Sequence, residues 1–227
     1  ALVVTALLLV WSLAVDAPLE APANPNLTPN PAKAPWYFAG LQELLVYFDP
    51  WFAGVALPTL IVLGLLLFPY LDPSPLRGGY YSLKQRRVPA GAFFAGFALW
   101  IGAILVGVFL RGPGWMWFWP GETWDHSRVV EETTRDLPDL FGIHGAVGKG
   151  VAGAMLLAAL YWGAALGIRW LVTRTEADRR TLARASRLQY ALFRFFAITI
   201  LVLVPVKILL RLIFHVKYIL VTGWFNV

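Results

Sequence analysis

The chain has 227 residues, of which 59% are hydrophobic and only 14% are charged, and its formal net charge is +6. A soluble domain is about 25% charged, so this composition excludes a soluble globular domain and a disordered chain. The 19 Lys and Arg residues lie in patches between long apolar runs, which favours anionic lipid headgroups over nucleic acid as their partner. There is no Cys, so disulfides and thiolate metal ligands are excluded within the chain.

The apolar runs predict an all-α integral membrane protein, because a spanning helix needs about 20 apolar residues. The first run, Ala1–Val15, is short and lacks the Met and basic start of a signal peptide. We interpret it as the end of a truncated helix, so that the chain is the C-terminal part of something larger or a trimmed subunit. The expected fold is an up-and-down bundle of four full spans plus this truncated N-terminal helix and interfacial helices. The predicted full spans are Trp51–Leu71, Ala90–Leu110, Val151–Val172 and Tyr190–Val206.

The charges of the connecting loops alternate in sign, as an up-and-down bundle requires. Loops 16–50 and 111–142 each carry a net charge of −3, whereas loops 72–89 and 169–187 carry +3 and +4. Because cytoplasmic loops are enriched in Lys and Arg, the two basic loops are predicted to be cytoplasmic. The two acidic loops then lie on the opposite, positive side of the membrane.

The C-terminal tail violates this charge rule, because it is predicted on the positive side but is basic. Lys207, Arg211 and His215 recur at helical spacing and form one cationic stripe. If the helix bends at Pro205, which we favour, the tail lies flat with its charges on lipid headgroups. If the helix runs straight, the stripe faces the bundle. Lys149 lies two residues before the predicted span Val151–Val172 and is predicted to extend toward the acidic loop on the positive side.

The loop after the first apolar run carries a dense motif. It contains Pro22-Ala-Asn-Pro25, then Thr28-Pro29, then Lys33, and then Trp36-Tyr37-Phe38. Prolines at 18, 22, 25, 29 and 31 stiffen the chain and forbid a helix. Pro35 is suited to the first turn of a helix that we expect to run to about Phe48.

This motif resembles the loop between the fifth and sixth helices of cytochrome b in quinol:cytochrome c oxidoreductases, and the same loop in subunit IV of the related photosynthetic complexes. The family pattern is PANP, then Thr-Pro, then Lys-Pro-Glu-Trp-Tyr-Phe. The chain aligns with it without a gap and matches it at Pro22–Pro25, Thr28, Pro29, Lys33 and Trp36-Tyr37-Phe38, but departs from it at Ala34 and Pro35. The resemblance covers residues 1–111 as a cytochrome b C-terminal-like region of three helices that includes the quinol-site loop. Residues 112–227 are an additional helical hairpin and an amphipathic C-terminal tail.

The resemblance implies a quinol site on the positive side, with Trp36, Pro35 and Phe38 contacting the substrate and Tyr37 orienting it. One departure matters, because the family's motif glutamate falls on Pro35, which cannot accept a proton. Glu43 follows Trp36 by seven residues, about two helical turns, and is predicted to share its face and to replace the missing base. Two alternatives remain open. The aromatic residues could instead be anchors at the membrane interface, and Glu43 could be a solvated carboxylate.

The resemblance also implies cofactors and partners. The substrate would be a quinol, either menaquinol or ubiquinol. No two of the histidines, His126, His144 and His215, sit at matching depth on one membrane helix, so haem b is expected on a partner subunit and no metal on this chain. The expected partners are a haem-bearing cytochrome b subunit, an iron–sulfur or cytochrome c subunit, and lipids, but no nucleic acid. The expected location is a bacterial inner membrane.

Our first hypothesis is therefore a membrane subunit of a quinol-oxidising cytochrome bc-type complex of a respiratory chain, active only within that complex. The alternative is a non-catalytic scaffold subunit of a respiratory or photosynthetic complex, which the missing glutamate favours. A transporter ranks lower, because the sequence shows no internal symmetry or pair of interrupted helices.

Overall fold

The computed structural model describes residues 1–15, 22, 24–26, 28–71, 83, 86–125 and 133–227. Within these ranges the regular elements are helices, and β-pairing is limited to isolated bridges. His126, the acidic residues Asp16 and Glu20, and most of the basic loop 72–89 lie outside the described residues. The helices, in chain order, are α1 (Leu2–Ala14), α2 (Trp36–Leu44), α3 (Phe52–Leu71), α4 (Arg87–Leu110), α5 (Leu137–Leu140), α6 (Ala146–Val172), α7 (Glu176–Arg184) and α8 (Arg187–Phe214).

Four helices of the described chain are long and apolar enough to cross a membrane. They are α3, α4, α6 and α8, with 20, 24, 27 and 28 residues. At about 1.5 Å per residue, each reaches the roughly 30 Å thickness of the hydrocarbon core. Helix α1 has 13 residues, none of them buried. The predicted all-α membrane bundle of four spans and one short N-terminal helix is thereby confirmed.

The last span extends past Pro205 to Phe214, which overturns the favoured prediction of a flat tail. A π-helical turn, Thr199–Leu203, directly precedes the proline. A π-helical turn is one of the local adjustments that let a membrane helix accommodate a proline without breaking. The helix therefore continues through Pro205 without a break, and Lys207 has no exposed surface. The chain turns at His215, whose φ of 53° ends the helix in the left-handed region.

The two acidic loops meet at one end of the bundle. The Lys33 Nζ donates a hydrogen bond to the Val108 carbonyl at 2.6 Å, and the Gly114 N–H donates one to Asn30 Oδ1 at 2.7 Å. The Lys149 Nζ donates hydrogen bonds to the carboxylates of Asp136 and Asp139. This confirms the prediction that Lys149 extends toward the acidic loop.

The C-terminal tail lies at this same end. The Lys217 N–H donates to the Arg135 carbonyl at 2.8 Å, and the Leu137 N–H donates to the Tyr218 carbonyl at 2.8 Å. The tail also crosses α6 at Gly153, where a Cβ atom would lie 2.5 Å from the Ile219 carbonyl oxygen. The tail is thus on the side that the up-and-down order requires, despite its positive charge.

The opposite end holds the basic segments. The Arg87 Nη2 lies 2.5 Å from Asp178 Oδ2, which joins the start of α4 to α7. Gln189 Nε2 donates to the Tyr70 carbonyl at 2.7 Å, which joins the start of α8 to the end of α3.

The buried core lies near the acidic end, where α2, α3, α8 and the tail meet. Elsewhere the outer faces of the spanning helices expose apolar side chains, as expected where lipid or another subunit covers them. The buried core residues are Leu44, Tyr47, Phe48, Phe52, Ala53, Leu57, Leu203, Val204, Ile219 and Val227.

Candidate functional site

The start of α2 is fixed by a side chain from its own second turn. Gln42 Oε1 accepts a hydrogen bond from the Ala34 N–H at 2.8 Å, and Gln42 Nε2 donates to the Ala32 carbonyl at 2.7 Å. Pro35 caps the helix, and Trp36 is its first residue. The prediction of a helix start at this proline is confirmed, but the helix ends at Leu44, four residues before the predicted end.

The first three residues of α2 form an exposed surface that we name the α2 aromatic surface. Trp36, Tyr37 and Phe38 are 65%, 49% and 51% exposed. The Trp36 and Tyr37 ring centroids lie 5.7 Å apart, edge to face, and those of Tyr37 and Phe38 lie 4.8 Å apart. Pro35 is exposed next to them. The predicted substrate-binding residues are therefore together, and they face outward.

The other side of α2 packs tightly against the end of α4. Ala39 is fully buried, and a Cβ atom on Gly107 would lie only 2.7 Å from the Ala39 carbonyl oxygen. A Cβ atom on Gly40 would lie 3.1 Å from the Ile104 side chain. Because only glycine leaves room for this approach, α2 has a fixed position on α4.

Glu43 lies within this packed side and not on the aromatic surface. Its side chain is 2% exposed. Oε1 accepts hydrogen bonds from Arg111 Nη2 at 2.7 Å and from the Tyr47 hydroxyl at 2.7 Å. Oε2 accepts from Arg111 Nε at 2.8 Å and from Trp115 Nε1 at 3.2 Å. We refer to these four residues, Glu43, Tyr47, Arg111 and Trp115, as the Glu43 cluster.

A tight turn after α4 brings Arg111 and Trp115 to this carboxylate. Gly114 and Trp115 both have positive φ values, 63° and 58°, and the Arg111 Nη1 donates to the Trp115 carbonyl at 3.1 Å. Glycine adopts such a φ without strain. The Arg111 guanidinium also lies 5.5 Å from the centre of the Trp117 ring.

The Glu43 cluster pairs one negative with one positive charge. Burial, reinforced by the neighbouring Glu43 carboxylate, raises the pKa of Tyr47 well above its ordinary value, so the phenol stays protonated and donates. Burial alone would lower the pKa of Arg111, but the hydrogen bonds and the charge of Glu43 together raise it. A buried carboxylate with this many donors is well satisfied.

The sequence did not identify Tyr47, Arg111 and Trp115 as partners of Glu43. Two signals were present: Tyr47 follows Glu43 by one helical turn, and Arg111 is a lone cation directly after an apolar span. Trp36 and Glu43 do share a helical face by spacing, yet the first is exposed and the second is buried, because only the latter half of α2 is covered by α4.

The described histidines are not grouped as ligands. His144 Nδ1 lies 3.2 Å from Asp139 Oδ1 with its side chain 76% exposed, and His215 terminates α8. Within the part of the chain that the structure describes, no group of three or more His, Cys, Asp or Glu residues is arranged to hold a metal ion.

Residues 22–109 match the family model described as cytochrome b (C-terminal)/b6/petD. The segment belongs to this cytochrome b family. It comprises the proline loop, α2 and α3, and it ends within the last turn of α4. No curated protein and no solved structure matched the chain in the other two comparisons. With four described helices long and apolar enough to cross a membrane, the chain is an integral membrane protein that carries a cytochrome b-like segment.

Proposed function

We propose that this subunit forms part of the positive-side quinol site of its complex and contributes to quinol oxidation there. The observation that carries this proposal is the α2 aromatic surface, which stands exposed at the start of a rigidly held helix inside the family-matched segment. Exposed Trp and Tyr side chains suit a flat, amphipathic ring whose hydroxyl groups require polar partners.

Within this proposal, Trp36, Pro35 and Phe38 contact the quinol ring and Tyr37 orients it through its hydroxyl. Quinol oxidation releases two protons, and Pro35 stands where the family has its glutamate. We assign the role of proton acceptor to Glu43, the carboxylate of α2. Both of its oxygens carry hydrogen bonds, so a proton reaches it when one donor of the Glu43 cluster moves aside.

The proposed partners follow from the same assignment. A haem-bearing cytochrome b subunit would contribute the rest of the pocket and the b haem, and an iron–sulfur or cytochrome c subunit would accept the other electron. The quinol would be menaquinol or ubiquinol, and the membrane a bacterial inner membrane. Residues 1–111 would form the cytochrome b-like region of the chain, and residues 112–227 an added hairpin and tail.

One observation favours a second candidate function, a non-catalytic scaffold. The Glu43 carboxylate is 2% exposed and fully engaged by Arg111, Tyr47 and Trp115. In the scaffold, this carboxylate fixes α2 on α4 and takes no proton. In that case the aromatic surface would pack against a partner subunit without contacting quinol.

Turnover of the intact complex separates the two functions, with haem content as the control for assembly. We expect Trp36→Ala to raise the KM for quinol by up to about tenfold, because an aromatic contact is worth about 0.5–1.5 kcal/mol. The matched control is Trp119→Ala. Trp119 is as exposed as Trp36, 66% against 65%, but it follows α4 and lies outside the residues that match the family model. Wild-type kinetics in Trp36→Ala with normal haem content would favour the scaffold.

The role of Glu43 needs its own variants. Loss of a positioned base costs about 10²–10⁴-fold in rate, so we expect Glu43→Gln to lower kcat at least tenfold in complexes that retain haem. Asp49→Asn removes a nearby carboxylate that does not belong to the Glu43 cluster and should leave kcat unchanged. Wild-type kcat in Glu43→Gln with normal haem content would remove Glu43 from proton transfer.

A further inference from the structure

A long apolar groove runs between α3, α4 and α8. Its volume is about 450 Å³, and all of its lining residues are apolar. It begins at Leu44, beside the Glu43 cluster, and extends along the spans to Leu71 and Pro89 at the basic end. Ala92 of α4 is among the lining residues.

A second cavity adjoins the groove at the basic end of the bundle. This cavity has a volume of about 110 Å³ and lies beneath α7. Phe68, Leu71, Pro89 and Phe193 line both spaces. The end of the groove at Leu71 and Pro89, which we call its mouth, is therefore at the level of the basic segments.

Two exposed arginines lie close along the chain to residues that line the adjoining cavity. Helix α7 places Leu182 in the wall of the cavity. Arg184 follows on the same helix, and Arg187 lies two residues before the wall residue Gln189; both arginines are exposed. The one acidic residue that lines the cavity is Asp178, whose carboxylate is already paired with Arg87 and accepts a hydrogen bond from Thr175. The mouth thus presents positive charge next to an apolar channel.

We infer that this groove binds one anionic phospholipid of the leaflet at the basic end. One acyl chain lies between α3, α4 and α8, and the phosphate lies at Arg184 and Arg187. Charge complementarity selects this occupant over a quinone, since a neutral ring carries no negative charge to pair with the arginines near the mouth. It also selects an anionic over a zwitterionic phospholipid, because each Lys or Arg near the headgroups strengthens binding of anionic lipid about fivefold.

The test is lipid titration followed by native mass spectrometry, on the chain purified together with its native partner subunits and stripped of lipid by detergent. Phosphatidylglycerol and phosphatidylcholine are the probes. We expect tighter binding of phosphatidylglycerol to the wild type. In the double variant Arg184→Gln/Arg187→Gln, phosphatidylglycerol binding should weaken about 25-fold, to the level of phosphatidylcholine.

The matched control for charge is Arg180→Gln. Arg180 is also exposed and on α7, but its charge is already paired with Glu176, so its loss should leave the preference for phosphatidylglycerol unchanged. The apolar channel is tested by Ala92→Phe, which fills the groove and should weaken binding of both lipids. Ala95→Phe, on α4 but outside the lining, should not.

Three results would overturn the inference. The first is equal binding of the two lipids to the wild type. The second is an unchanged lipid preference in the double arginine variant, and the third is unchanged binding of both lipids in Ala92→Phe. Recovery of a quinone from the groove, or a partner helix occupying it in the purified assembly, would likewise exclude the phospholipid.

Discussion

Glu43 and Arg111 form a buried two-point ion pair between α2 and the end of α4. The Nη2–Oε1 and Nε–Oε2 distances are 2.7 and 2.8 Å, and the two side chains are 2% and 8% exposed. A buried ion pair contributes little net stability compared with apolar packing. Loss of one partner, however, leaves the other charge buried without a countercharge and destabilises the fold. Its effect is therefore to fix α2, and with it the α2 aromatic surface, in one orientation.

Replacement of Arg111 by Gln is expected to destabilise the protein strongly. The Glu43 carboxylate would remain buried without its countercharge, at a cost of about 3–5 kcal/mol. The double variant Glu43→Gln/Arg111→Gln removes both charges and should unfold at a temperature between those of Arg111→Gln and the wild type. Thermal unfolding in detergent measures all three. An Arg111→Gln protein as stable as the wild type would show that the pair does not hold α2.

Gly107 should not tolerate a methyl group. An added Cβ would lie 2.7 Å from the Ala39 carbonyl oxygen, whereas around Gly102, on the same helix, nothing lies within 4 Å. We expect Gly107→Ala to lower stability by about 1–3 kcal/mol through overpacking. Gly102→Ala should be neutral or slightly stabilising, because alanine favours the helix.

Unfolding temperatures of the two alanine variants provide the comparison, and quinol turnover in the assembled complex shows whether α2 has moved. If Gly107→Ala and Gly102→Ala behaved alike in both measurements, the close approach of α2 to α4 would be wrong.

Asp139 should contribute stability that depends on pH. Hydrogen bonding from Lys149, assisted by His144, lowers the pKa of the Asp139 carboxyl below its ordinary 3.8. A carboxyl with a lowered folded-state pKa stabilises the fold above its unfolded pKa, and this stabilisation is lost as the pH falls through the folded pKa. Asp139→Asn should therefore unfold at a lower temperature than the wild type at about pH 7, and the difference should shrink as the pH falls below 3.8 and through the lowered folded-state pKa of Asp139. A difference independent of pH would assign the effect to packing.

The two ends of the bundle should face opposite sides of the membrane. Leu83 and Thr133 are exposed, and they lie in a basic and an acidic loop respectively. Because the chain has no Cys, single variants Leu83→Cys and Thr133→Cys give clean labelling with a membrane-impermeant thiol reagent. In sealed inside-out vesicles only Leu83→Cys should react without permeabilisation. Reaction of both residues from one face would contradict the arrangement of the spans.

The four spans could be predicted from the sequence because hydrophobic length alone determines them. The predicted span Tyr190–Val206 is shorter than the helix in the structure, because the prediction places a bend at Pro205 and the cations after it on lipid headgroups. The structure accommodates Pro205 behind the π-helical turn Thr199–Leu203 and buries Lys207. The local sequence pattern does not show that a proline and a lysine can be accommodated in this way, because this depends on which elements pack against the helix.

The candidate site was predictable only in part. The loop motif identified Pro35, Trp36, Tyr37 and Phe38 as neighbours, because they are consecutive at one helix start. Arg111 and Trp115, two of the three partners of Glu43, come from a turn that begins 68 residues away and depends on the positive φ of Gly114 and Trp115. No spacing rule connects such positions, so the burial of Glu43 required the tertiary structure.

Photoaffinity labelling of the intact complex tests the central claim most directly. An azido-quinone would be photolysed in the presence and absence of excess quinol, and the labelled residues mapped by mass spectrometry. We predict labelling at Trp36, Tyr37 or Phe38 that excess quinol suppresses, with Trp119 unlabelled. A complex that oxidises quinol while these three residues remain unlabelled would contradict the quinol site and leave the subunit as a scaffold.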